Sequence, residues 1–322
     1  MSTIAQLNTE LCSGCAACEQ SCPHRCISMQ ADGEGFLRPV IDGQQCAACG
    51  LCVRVCPILS PESQQHTPIA YAAKVKDEAV RSTSSSGGIF TLLAETVLEQ
   101  GGVVYGAGFS DAFDVVHMAV ECRDDLPKLR SSKYVQSQIG DTFRSAKNHL
   151  DAGRTVLFSG TPCQIEGLLK FLGKPHNNLI TQDIVCHGVP SPVVWRQYTR
   201  ELEKNYGSLI RSVNFRYKSP SWRSYSVQIH FQNGSVYEKL RSKDSYMRSF
   251  LGDLTLRPSC YCCSFKNAAR SSDFTLADFW GIQHCIPEMD DNKGTSLVIC
   301  HTEKANAIFE SFQDKILFMQ AN

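Results

Sequence analysis

The feature that most constrains this chain is a cysteine run that occurs twice in its first sixty residues. Cys12-Ser-Gly-Cys15-Ala-Ala-Cys18-Glu-Gln-Ser-Cys22-Pro23 is answered by Cys46-Ala-Ala-Cys49-Gly-Leu-Cys52-Val-Arg-Val-Cys56-Pro57. Both runs are C-x2-C-x2-C-x3-C-P, the bacterial ferredoxin spacing that presents thiolates to 4Fe–4S clusters. Three cysteines on a tight loop face three irons of a cube, and the fourth iron takes its thiolate from the other run. One cluster is therefore assigned to Cys12, Cys15, Cys18 and Cys56, and the other to Cys46, Cys49, Cys52 and Cys22. The proline after each crossing cysteine turns the chain away. Zinc sites favour two C-x2-C pairs or cysteine–histidine mixtures, which two intact four-cysteine runs do not resemble. A module of this kind moves electrons one at a time.

At 322 residues the chain is long enough for two or three domains with a real core. Lysine plus arginine and aspartate plus glutamate balance at 32 each, which gives no footprint for nucleic acid. The first residues lack a basic then apolar leader, and no stretch is long and apolar enough to span a membrane. Seventeen cysteines in a chain of this length, at metal-like spacing, imply a reducing cytoplasm rather than a disulfide scaffold.

Residues 1–59 form a pseudo-twofold repeat, with Gly33 to Val40 read as a turn and short strand and Cys26 as a packed or free thiol outside the motif. A polar stretch with prolines at both ends, residues 60–68, reads as a linker. A strand over Ile69–Val75 follows, and then Ser84-Ser-Ser-Gly87-Gly88 opens a helix carrying Ile89, Leu92, Leu93 and Val97 on one face. Small residues at a helix N-terminus suit a cofactor's phosphates, although a plainly capped helix has the same pattern. Strands are expected over Val103–Phe109 and Val115–Val120. Leu129 to Gln136 has no periodicity and reads as a polar loop in which Ser132, Lys133 and Tyr134 face a flavin or substrate, or only solvent.

A helix over 141–151, a strand leading to Gly160-Thr-Pro-Cys163, a helix through Leu172, a strand over Leu179–Val185 and a helix over 193–204 complete an alternating pattern. That alternation predicts a mostly parallel sheet with ligands gathered beyond its strand ends. Cys163 and Cys186 both fall just past such ends. Residues 209–240 read as three strands, the last two joined at Asn233-Gly234. The basic and aromatic segment 215–223 suits a planar anion or an exposed sheet face. Cys260 and Cys263 then form a C-x2-C pair with Cys262 inside it. Joined to Cys163 and Cys186, the pair gives four thiolates, enough for a third 4Fe–4S cluster. A zinc site is the alternative, as is a reactive Cys163 whose pKa is lowered at a helix N-terminus.

Taken together, Ser85-Ser-Gly-Gly-Ile-Phe, Lys133-Tyr-Val-Gln-Ser, Gly160-Thr-Pro-Cys-Gln, Asp183-Ile-Val-Cys-His-Gly-Val-Pro-Ser, Arg257-Pro-Ser-Cys-Tyr-Cys-Cys and Asp278-Phe-Trp-Gly resemble the coenzyme F420 hydrogenase/dehydrogenase beta-subunit family. The motifs run in family order from about residue 68 to 300, behind the fused ferredoxin module. Two departures stand out: Cys262 crowds the cysteine pair, and the chain stops soon after a helix near 305–312, where many relatives continue.

The resemblance implies an α+β ferredoxin-like domain followed by a mixed α/β flavin- and iron–sulfur-binding domain. It divides the latter into an N-terminal part over 69–150 and a C-terminal part over 151–322. It also implies FAD beside a third cluster, with Ser86, Gly87, Gly88, Ser132, Lys133 and Tyr134 as flavin contacts. The expected function is an oxidoreductase that passes electrons between a ferredoxin or partner redox subunit and a small hydride donor or acceptor, such as coenzyme F420. The alternative is an electron-transfer adaptor with no small substrate of its own.

Overall fold

The computed structural model describes residues 3–61, 67–268 and 270–321. Residues 62–66 of the expected linker lie outside the described residues.

In the N-terminal module a short helix, α1 (Ala17–Ser21), follows the first cysteine loop, and α2 (Leu51–Arg54) follows the second. Between them β1 (Ile27–Ala31) and β2 (Leu37–Ile41) pair antiparallel. Asp32 makes the turn, its Oδ1 accepting the N–H groups of Glu34 and Phe36 at 3.0 and 2.9 Å. The repeat extends to the backbone. Gly14 and Ala16 in the first loop, and Ala48 and Gly50 in the second, are left-handed, with φ of +74°, +61°, +49° and +75°. Left-handed turns of this kind aim backbone N–H groups into a concavity that suits anions such as thiolates.

The rest of the chain is built on one eight-stranded mixed sheet. In chain order its early elements are β3 (Ile69–Val75), α3 (Glu78–Ser82), α4 (Ile89–Glu99), β4 (Val103–Phe109), β5 (Val115–Val120), α5 (Thr142–Asp151), β6 (Val156–Ser159), α6 (Pro162–Leu172) and β7 (Leu179–Ile184). Then α7 (Pro192–Tyr206) leads to a separate antiparallel sheet of β8 (Ile210–Tyr217), β9 (Ser226–Phe231) and β10 (Val236–Leu240). The chain returns through α8 (Ser245–Leu251) and α9 (Pro258–Tyr261) to β11 (Phe274–Asp278), α10 (Ile282–Cys285), β12 (Ser296–Cys300), α11 (Glu303–Glu310) and β13 (Ile316–Ala321). The main sheet has the order β13-β3-β12-β11-β7-β6-β4-β5, so strands from both sides of residue 150 share it.

The expectation of a mostly parallel sheet needs correcting. Only β4, β6, β7 and β11 run parallel, and both flanks are antiparallel. The turn from β4 to β5, closed by Phe113 N–H to Ser110 O at 2.9 Å, is too short for a crossover and forces an antiparallel neighbour.

Two helical layers cover the sheet. On one face α4 buries Ile89, Leu92, Leu93 and Val97, and α11 buries Phe309. On the other, α5 and α6 bury Phe143, Ala146, Ile165 and Leu168 in a core that also takes Ala16, Ala17 and Val55 from the N-terminal module. The three-stranded sheet packs its own aromatic core, including Trp195, Phe215, Phe231 and Tyr246, under α7 and α8. Its β9–β10 hairpin turns at Asn233-Gly234, where Gly234 has φ +86°.

Candidate functional site

Three groups of cysteines surround three separate cavities. Cys12, Cys15, Cys18 and Cys56 line the first. Cys22, Cys46, Cys49 and Cys52 line the second, so each run lends its fourth cysteine to the other. Cys26 lies outside the motif but also lines the second cavity, with its Sγ 3.3 Å from that of Cys22. It is buried and free, as expected. Cys163, Cys186, Cys260 and Cys263 line the third cavity together with Cys262, which is exposed.

The third group is assembled by elements far apart in sequence. Cys163 sits in the first turn of α6, whose start is fixed by Pro162 and a capping box in which the Thr161 N–H donates to Gln164 Oε1 at 2.9 Å. Cys186 follows the end of β7, and Cys260 lies in α9. Residue Gly167, one turn after Cys163 on the same face of α6, packs on the first group. A Cβ there would lie 2.8 Å from Cys15 Cβ and 2.9 Å from its Sγ. The first and third groups are thus neighbours across one helical turn.

The thiols themselves fit a cationic iron–sulfur core. Burial, with the Cys12, Cys163 and Cys56 thiolates adding to it, pushes Cys15 up to about 12. Burial also pushes Cys163 up to about 11, and the Cys260 and Cys263 thiolates add to the rise. Cys186 is raised by the same causes. So many buried thiolates repel one another unless cations stand between them. Burial thus works against the lowered pKa that a nucleophilic Cys163 would need. Among the described residues, no three His, Cys, Asp or Glu side chains converge closely enough to hold a single metal ion. The thiols enclose a volume, as a polynuclear cluster requires.

A larger cavity of about 650 Å³ opens at the carboxyl ends of the central strands, within the range of small-molecule and cofactor sites. It shares Thr161, Cys186, Gly188 and Val189 with the third cysteine cavity. Of the residues expected to contact a flavin, Ser86, Gly88, Ser132, Lys133 and Tyr134 line it. Gly87 does not. It is wedged between β3 and β12, where a Cβ would come within 2.4 Å of Ala73 O and 2.8 Å of Ser296 N, and its N–H donates to Ser296 Oγ. The loop is held by Ser85, whose Oγ accepts the Ser132 N–H at 2.8 Å and lies 3.0 Å from Ser132 Oγ. Lys133 donates to the carbonyls of Lys128 and Arg130 at 3.0 and 2.8 Å, and burial lowers its pKa to about 7. Tyr134 stacks on Phe250 at 4.9 Å.

Sequence reasoning missed His117, which faces this cavity from β5. Its Nε2 lies 3.0 Å from Ser159 O and its Nδ1 2.6 Å from Ser137 Oγ. A carbonyl only accepts, so Nε2 carries the proton and Nδ1 accepts from the serine. Burial lowers the ring's pKa to about 4 and keeps it neutral. Arg216, from the segment noted for its bases and aromatics, is buried in the wall and donates to Asp278 Oδ2 at 2.8 Å. Trp222 lies behind that wall. It stacks at 4.6 Å on Trp280, which lines the cavity and is half exposed.

Comparison with known proteins identifies the family. The family described as the C terminus of the coenzyme F420 hydrogenase/dehydrogenase beta subunit matches residues 153–321, which is just over half of the chain. The chain belongs to that family. The corresponding N-terminal family matches residues 70–143, and a 4Fe–4S dicluster domain matches residues 11–58. The chain is 26% identical over 318 residues to a coenzyme F420-dependent sulfite reductase of Methanocaldococcus jannaschii, covering 94% of this chain and 46% of that protein. It is 23% identical over 167 residues to a subunit of the F(420)H(2) dehydrogenase of Methanosarcina mazei, covering 48% of this chain and 46% of that one. The chain thus spans about half the length of the curated relatives it matches. In fold it is similar to a chain of the F420-reducing [NiFe] hydrogenase complex from Methanosarcina barkeri, with a TM-score of 0.53 and 17% identity over 80% of this chain and 84% of that chain. This beta-subunit relative is an iron–sulfur electron-transfer protein. None of its described helices is long and apolar enough to cross a membrane.

Proposed function

We propose that this beta-subunit relative is an oxidoreductase carrying three 4Fe–4S clusters and FAD, and that it exchanges hydride with a small low-potential molecule such as coenzyme F420. The observation that carries the reading is the wall shared by the third cysteine cavity and the large cavity, with Cys186 facing both. A group bound in the large cavity would therefore lie against the third cluster. The order of exposure supports a route. Cys49 of the second group is exposed, the four cysteines of the first are buried, and Gly167 of α6 brings that first group against the third. A ferredoxin or redox partner subunit docking near Cys49 would exchange single electrons there. Bound FAD would supply the exchange between one-electron and two-electron chemistry.

The chain's own residues would do the rest. The N-terminus of α4 and the Ser85–Ser132 clasp would receive the anionic part of the cofactor. Lys133, whose pKa burial lowers, would donate a hydrogen bond to the cofactor. The small molecule's presence in two curated relatives' names, together with family membership, supports a deazaflavin as partner in hydride exchange.

Oxygen-free purification followed by iron and flavin counting tests this. About twelve irons, from three four-iron clusters, and roughly one FAD per chain are expected. In Cys163→Ala about four irons should disappear and flavin reduction should slow. Full iron in that variant would remove the third cluster from the reading. Eight irons with no flavin, even after reconstitution, would leave an electron-transfer adaptor.

A further inference from the structure

Arg257 joins the two parts of the molecule and is not used by the route above. Its side chain is completely buried, three positions before Cys260. Nε donates to Cys12 O at 2.6 Å, Nη1 to Gln136 Oε1 at 2.8 Å and Nη2 to Leu37 O at 2.8 Å. Gln136 in turn donates to Ser13 O at 3.3 Å. The guanidinium also lies 5.4 Å from the centre of the Phe36 ring, and a Cβ on Gly14 would meet Nη1 at 2.8 Å. One side chain therefore ties the first cysteine loop, the β-hairpin of the N-terminal module and the loop before Ser137 to the helix bearing Cys260.

Each of these acceptors is a neutral oxygen, and among the described residues no carboxylate pairs with Arg257. Nearby Arg38, by contrast, is answered by Asp32 at 3.0 Å. A buried guanidinium keeps its proton, and a buried charge without a counter-charge is strongly unfavourable. The counter-charge is at hand. Burial disfavours the charged arginine, and the Cys12 and Cys163 thiolates oppose that effect. These two cysteines belong to different groups, the first and the third.

We propose that Arg257 is a positioning residue that sets the reduction potentials of the first and third clusters together. The proposal rests on the reading that both groups hold 4Fe–4S clusters. When one electron passes between them, one cluster is oxidised and the other reduced, with no bond made and no proton moved. A fixed cation whose side chain is bonded to the Cys12 carbonyl, and whose own carbonyl accepts the Cys260 N–H at 2.8 Å, favours the reduced state of each cluster and raises both potentials.

The test is a potentiometric titration of the full, cluster-loaded chain with dithionite, followed by electron paramagnetic resonance. Signals are assigned with Cys163→Ala, which lacks the third cluster. In Arg257→Gln the first and third clusters should become harder to reduce by about tenfold in their one-electron equilibria, ~59 mV each. The second cluster should not move, and Arg257→Lys should restore both potentials. Gln136→Glu keeps the arginine in place but sets a carboxylate on it, so the same two potentials should fall; this variant decides the matter if Arg257→Gln does not fold. Unmoved potentials in Gln136→Glu, or an equal shift of all three clusters, would overturn the proposal. Wild-type protein with only about eight irons would overturn the cluster reading beneath it, an outcome the iron count separates from the first.

Discussion

At the scale of single residues, His117 illustrates how burial decides chemistry. The neutral ring is accommodated by one donated and one accepted hydrogen bond, and burial lowers its pKa from 6.5 to about 4. A histidine with a lowered folded pKa adds stability that is complete above pH 6.5 and is lost as pH falls through about 4. His117→Gln should therefore flatten the fall in thermal midpoint across that window. Slopes equal to wild type would reject the assignment. The residue was invisible in the sequence because strand alternation turns every second side chain of β5 toward the cavity face, whatever its type. The cysteines were legible because their spacing is itself the geometric requirement. Gly87 lay within a legible motif, yet its role is close packing against Ala73 and Ser296, which spacing along one segment cannot reveal.

At the scale of elements, α6 is the hinge of the arrangement. It carries Cys163 at its first turn and offers Gly167, one turn on, as the space into which Cys15 packs. Gly167→Ala should therefore destabilise the docking of the N-terminal module by about 1–3 kcal/mol, as overpacking does. A lower thermal midpoint and loss of iron from the first group would show it, while an unchanged midpoint would mean that the loop yields freely. The cap of α6 makes a smaller contribution. Gln164→Ala, which removes the acceptor of the Thr161 N–H, should cost about 1 kcal/mol in thermal or denaturant unfolding, and no change would mean that Pro162 suffices to start the helix. Helices and strands such as α4, β4 and the β9–β10 hairpin were legible because periodicity and turn residues are local. The flank built on β3 was not, because β12 and β13 reach it across more than two hundred residues, whereas β5 pairs with its neighbour β4 through a short turn.

At the scale of the molecule, the N-terminal module has little core besides its cysteines. Ile4, Leu7 and Ile27 are its main buried aliphatic side chains, set among Cys12, Cys18, Cys22, Cys26, Cys52 and Cys56. A domain that small needs a further source of stability, and metal-coupled folding is the natural one. Stripping iron with a chelator should open residues 3–61 to protease before the eight-stranded sheet, as read by mass spectrometry of the first fragments. Simultaneous cleavage throughout would mean that the module and the sheet unfold as one unit.

The sequence alone determined the two ferredoxin runs, their exchange of fourth cysteines, most of the regular elements and the family resemblance. All of these are carried by short-range spacing or by ordered motifs. Only the tertiary structure decided that Cys163, Cys186, Cys260 and Cys263 surround one cavity, that this cavity shares a wall with a larger one, and that Arg257 lies buried between cysteine groups. Such facts depend on which distant segments the sheet and its helices bring together. The packing of apolar faces sets that choice, and no local pattern records it.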